Sequence, residues 1–150
     1  MAILSYLGRV NLAVRLVTEK YPGAKLYEVE GTCSQGPSTK WQDVDELRVV
    51  FLADNMATAI IDSEGWGEFG PIKYVKKPWL QDVIIQWPVT LELSTAVQLM
   101  QEAGYRDPFG GVTLRHPLYP GVKQPYYIFG FGGGKYVFVG VFDHKVSTHT

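Results

Sequence analysis

Cys33 is the only cysteine in the 150-residue chain, so neither an internal disulfide nor a multi-cysteine metal site is available. A reducing compartment is the simpler setting, and the expectation is a cytoplasmic protein, with secretion as the other case. A surplus of charge is missing too. Fourteen Lys and Arg stand against 15 Asp and Glu, for a formal net charge of -1. That balance offers no basic field to a phosphate backbone, so nucleic acid is not an expected partner. Lys73, Lys76 and Lys77 form the one like-charge cluster and read as a solubilising face. No apolar run approaches the roughly eighteen residues needed to cross a bilayer. Residues 1–17 are apolar, but Arg9, Asn11 and Arg15 interrupt them and no small-residue cleavage site follows. They read as an amphipathic helix and not as a signal peptide. Also lacking are a Gly-x-Ser-x-Gly elbow, a His-Glu-x-x-His pair and a dinucleotide fingerprint.

What the chain does have is core-forming material: 46% hydrophobic and 13% aromatic residues against 19% charged. That mix can offset the entropy of ordering a backbone, and the length suits a single domain, residues 1–150.

Apolar residues recur at helical spacing over residues 3–20 (Leu4, Leu7, Val10, Val14, Val17), and Tyr21-Pro22-Gly23 stops them. Residues 24–31 alternate as a strand, with Leu26, Glu28 and Glu30 on one side. Residues 47–53 and 57–62 predict a hairpin about Asp54-Asn55. Short strands are expected at 72–75 and 83–86. Thr90 is the expected cap of a second helix over 91–103, ended by Gly104. Strands at 112–115, 126–131 and 135–142 follow, and residues 146–150 read as a frayed tail. The two halves, 1–80 and 88–146, thus share an order of helix, turn, strand and hairpin. This predicts an α+β fold of two repeats, each a helix followed by antiparallel strands, with the helices on one face of the sheet.

Thr90-Leu91-Glu92-Leu93-Ser94-Thr95-Ala96 with Ala103-Gly104, the strand at residues 136–143 with Lys145-Val146, and the junction at residues 19–24 resemble a PepSY-like repeat. The resemblance implies two such units side by side, as in β-lactamase inhibitory proteins, and a noncatalytic binding or inhibitory module. The chain departs from that pattern in lacking an export signal and paired cysteines.

The last hairpin gives a reason to expect a binding surface that does not depend on resemblance. If Gly133-Gly134 is a two-residue loop, Phe131 faces Tyr136, Phe129 faces Phe138 and Tyr127 faces Gly140, giving one aromatic face. A sheet covered on one side normally shows polar residues on the other. The rings then either lie under a further layer of the chain, such as the loop with Trp66, or form an exposed interaction patch. Tyr127, Phe129, Tyr136, Phe138 and Trp66 are the candidate contacts for a protein or a hydrophobic small ligand. A homodimer through the same face is a further reading, and no cofactor is expected. The alternative is a cofactor-free isomerase or cyclase using His116 or Asp143 with Tyr105 or Tyr119.

Three other constellations carry less. His116, His144 and His149 with Asp143 have no ligand spacing. Asp62, Glu64 and Glu68 about Trp66 pair carboxylates with an aromatic platform, a feature of sugar-processing sites, but a solvated loop explains them as well. Residues 130–134 form a hairpin turn and not a phosphate loop, because no Lys-Ser/Thr follows.

Overall fold

A computed structural model describes residues 4–63, 68–80 and 82–148. Helix α1, Tyr6–Lys20, starts where Ser5 accepts a hydrogen bond from the Gly8 amide at 3.0 Å. Its apolar stripe of Tyr6, Val10, Ala13 and Val17 is buried. Strands β1 (Lys25–Thr32), β2 (Glu46–Leu52) and β3 (Thr58–Ser63) follow as a meander, with β4 (Lys73–Val75) beyond them. The β2–β3 turn holds Asn55 and Met56 at φ 50° and 60°, so the left-handed pair lies one residue later than the sequence suggests. Strand β5 is Asp82–Val83. Helix α2, Leu93–Glu102, begins later than expected, with Glu92 and not Thr90 at its N-cap. Strands β6 (Gly111–Pro117), β7 (Tyr126–Gly130), β8 (Tyr136–Gly140) and β9 (Val146–Ser147) complete the chain.

The two expected helix-plus-sheet repeats are not what the chain builds. Among the described residues nine strands form one antiparallel sheet in the order β4-β3-β2-β1-β6-β7-β8-β9, with β5 added on β6. Two α-helices, of 15 and 10 residues, accompany it among the described residues. The halves share the sheet because β1 bonds β2 along one edge and β6 along the other, Val29 opposing both Val49 and Leu114. The tail is not wholly frayed, since Val146 pairs with Val139 and Ser147 with Phe138.

Directly opposed residues of an antiparallel pair project to the same side, so the register sorts every side chain. Val29, Val49, Phe51, Ile61, Leu114, Tyr127, Phe129 and Val139 enter the core together with the buried residues of α1 and α2. Tyr6 meets Tyr127 edge-on at 5.7 Å between ring centroids, and Phe109 meets Phe129 at 5.1 Å. The opposite side carries Arg48, Val50, Glu28, Glu30, Thr113, Arg115, Tyr126, Ile128, Tyr136 and Phe138. No helix among the described residues is long and apolar enough to cross a membrane.

Candidate functional site

The site grows from a fork in the sheet. Strands β1 and β6 pair from Thr32↔Gly111 to Glu28↔Arg115 and then part. β5 enters the opening: Asp82 and Val83 pair with Pro117 and His116 of β6, while the Ile85 amide donates to the Leu26 carbonyl of β1 at 2.8 Å. A shift of register between Leu26 and Glu28 bends β1 at this point. The approach to β5 crosses the outer side of the sheet, where the Thr58 hydroxyl donates to the Lys77 carbonyl at 2.7 Å. Val50 is fully buried there although it faces outward.

At the vertex of the fork three ionisable side chains meet. Arg115 Nε donates to Asp82 Oδ1 at 2.6 Å and Trp79 Nε1 donates to Asp82 Oδ2 at 2.8 Å. The Asp82 side chain has no exposed surface, against 28% for Arg115. Glu28, buried beside them and hydrogen-bonded to Asp82, is pushed up to about 9. Burial is the main cause, the hydrogen bond and charge of Asp82 and the charge of Glu30 add to it, and Arg115 opposes it. Glu28 therefore carries a proton at neutral pH.

Below the vertex the outer side opens into a groove of about 330 Å³. Glu28, Glu30, Thr113 and Arg115 form its floor, and Pro117, Tyr119, Ile128, Tyr136 and Phe138 its apolar wall. These residues converge because Glu30, Thr113, Ile128 and Phe138 are successive partners across four strands. Neighbouring strands lie about 4.8 Å apart, so the row runs from carboxylate to ring over about 15 Å. Glu30 is half-buried, and its carboxylate makes no hydrogen bond or ion pair with any other described residue. On the far side of Glu30 the Arg48 guanidinium is already engaged, with Nε 3.0 Å from Asp62 Oδ1.

The aromatic face expected of the last hairpin is not formed. Its loop runs from Phe131 to Lys135 and is closed by the Phe131 amide on the Lys135 carbonyl, with Gly132, Gly133 and Gly134 all at positive φ. The pairing is Gly130↔Tyr136, Phe129↔Val137, Ile128↔Phe138 and Tyr127↔Val139, one residue away from the two-residue-loop register. The slip sends the rings to opposite sides. Tyr127 and Phe129 are fully buried, and the Tyr127 hydroxyl donates to the Leu91 carbonyl at 2.7 Å. Neither can touch a partner or form a dimer interface. Tyr136, 53% exposed, and half-buried Phe138 remain on the outer side, in the groove wall. Trp66 lies outside the described residues, as do Glu64 and His149.

The other sequence candidates go elsewhere. His116 Nε2 lies 3.1 Å from the Val122 carbonyl, His144 occupies a left-handed turn, and Asp143 accepts from the Lys145 amide. Among the described residues no three His, Cys, Asp or Glu side chains converge as metal ligands. Burial acts to raise the Asp62 carboxyl, but hydrogen bonds and charges from Arg48 and Lys73 outweigh it and hold it below the ordinary range. Asp62 is thus taken up by a cross-strand ion pair on each side. Cys33 is buried, with Sγ 3.6 Å from the Phe109 carbonyl, and burial raises its thiol. Tyr119 lies on the groove rim; Tyr105 lines a separate cavity.

Sequence reasoning did not single out Glu28, Glu30, Asp82 or Arg115. A signal for two of them was present: Glu28 and Glu30 alternate in a strand otherwise rich in apolar residues, which places both on one face. Asp82 and Arg115, 33 residues apart, carried none.

No protein-family model, curated protein or solved structure significantly matches the chain.

Proposed function

We propose that the chain is a noncatalytic binding or inhibitory module whose recognition surface is the outer groove. Its partner is an extended protein segment that carries a basic side chain next to an apolar or aromatic one. The reading rests on one observation. The outer sheet face presents Ile128, Tyr136 and Phe138 together, and beside them stands Glu30, a half-buried carboxylate that has no hydrogen bond or ion pair with a described residue and is attracted by Arg48 only beyond ion-pair distance. A guanidinium or ammonium group satisfies Glu30, and a ring laid on Phe138 and Ile128 buries apolar area that water now covers.

The test is titration with acetylated, amidated hexapeptides containing Arg-Phe, Glu-Phe or Arg-Ser at their centre, followed by amide chemical shifts. The Arg-Phe peptide is expected to shift residues 30, 113, 128 and 138, and both Glu30→Gln and Ile128→Asp to weaken it about tenfold. Equal binding of all three peptides, or shifts confined to other residues, overturns the proposal.

A second reading, a cofactor-free isomerase or cyclase, draws on the proton held by Glu28 at the groove floor. A carboxylic acid kept neutral at pH 7 has the protonation state of a general acid. Its 4% exposure and its engagement with Asp82 favour the binding role. Turnover of any groove ligand that Glu28→Gln abolishes would reverse that preference.

A further inference from the structure

A second cavity, of about 420 Å³, opens where the turn after α2 meets the β7–β8 loop. Its size falls within the range of about 300–1,000 Å³ usual for small-molecule sites. Tyr105, Phe131, Tyr136 and Val137 supply rings and apolar wall, and Arg106 and Lys135 supply two cations. Neither cation makes an ion pair or side-chain hydrogen bond with a described residue, although Asp107 also lines the cavity. Two glycines in left-handed backbone border it. Gly104, at φ +100°, ends α2, and Gly134, at φ +76°, ends the glycine run; a Cβ on either would meet nothing within 4 Å.

We propose that this cavity is a binding site for a small amphiphilic anion: an aromatic or otherwise planar apolar body bearing one carboxylate, sulfonate or phosphate group. The body lies among Tyr105, Phe131 and Val137, and the anionic group is held by Arg106 and Lys135. An anionic group at this cavity gains charge-assisted contacts from Arg106 and Lys135 while its apolar part leaves water. A neutral ligand gains only the second effect, and a cation is repelled by both side chains. The site is independent of the outer groove in its charged residues, and the two share only Tyr136.

The test uses two fluorescent probes of similar shape on the whole folded chain: 8-anilinonaphthalene-1-sulfonate and its uncharged counterpart N-phenyl-1-naphthylamine. The sulfonate is expected to bind saturably at one site per chain. The double change Arg106→Gln and Lys135→Gln, both at exposed positions, should weaken it at least tenfold and change the neutral probe less than twofold. Tyr105→Ala should weaken both probes, and Glu30→Gln neither. Non-saturable sulfonate binding, or a double variant that binds it like the parent, overturns the proposal. If Ile128→Asp, a change in the groove wall alone, abolishes sulfonate binding, the probe is reading the groove and the cavity assignment fails.

Discussion

At the scale of single residues, Glu28 is a carboxyl group that folding removes almost wholly from water. Folding takes it from an ordinary carboxyl value of 4.5 to about 9, so the folded state holds a proton that the unfolded chain has released. The stability linked to this group is therefore fully present below about pH 4.5 and is lost as the pH rises through about 9. Urea unfolding of the parent protein should show a midpoint that falls between about pH 5 and about pH 9. Glu28→Gln keeps a hydrogen-bond donor toward Asp82 and removes the titrating proton, so its midpoint should be flatter over that window and higher than the parent's at the alkaline end. An unchanged slope in the variant would mean that another group titrates there. The outward direction of Glu28 and Glu30 was legible from their alternation in β1. That one of them is neutral was not, because the Asp82 contact joins segments more than fifty residues apart in sequence.

At the scale of elements, β5 is held by very little backbone: two residues paired with β6 and a single bridge to β1. Its side chains compensate, with the Asp82 carboxylate bound by both Arg115 and Trp79. Arg115→Met leaves a buried carboxylate without its cation and should cost about 3–5 kcal/mol, measured by chemical denaturation. Adding Asp82→Asn should restore part of that loss, because a neutral amide tolerates the site better than an uncompensated charge. Independent, additive effects of the two substitutions would show that the clasp is not formed. The β7–β8 hairpin teaches a related lesson about legibility. Both strands were plain in the alternation of residues 126–142, yet the loop was not, because three consecutive glycines permit several closures. A one-residue difference in closure reverses which rings face water, so Tyr127 and Phe129 pass from expected contacts to core residues.

At the scale of the molecule, the pairing of β1 with β6 makes one sheet out of both halves. Residues 1–80 alone would leave the 28–32 edge of β1 bare and remove Leu114, Tyr127 and Phe129 from the core. That fragment should not give a cooperative unfolding transition or a dispersed amide spectrum; either would mean that the half builds a complete core of its own. Helices and strands could be read from the sequence to within a few residues, apart from the short β9, and the single cysteine left no internal disulfide to expect. Those follow from composition and from periodicities of 3.6 and 2, which are local properties. The single sheet, the fork that receives β5, the register of the last hairpin and the meeting of Glu28 with Asp82 and Arg115 were decided only by tertiary structure. Each is a pairing of distant segments, and its free energy depends on which partner buries which face, a quantity that no stretch of chain contains by itself.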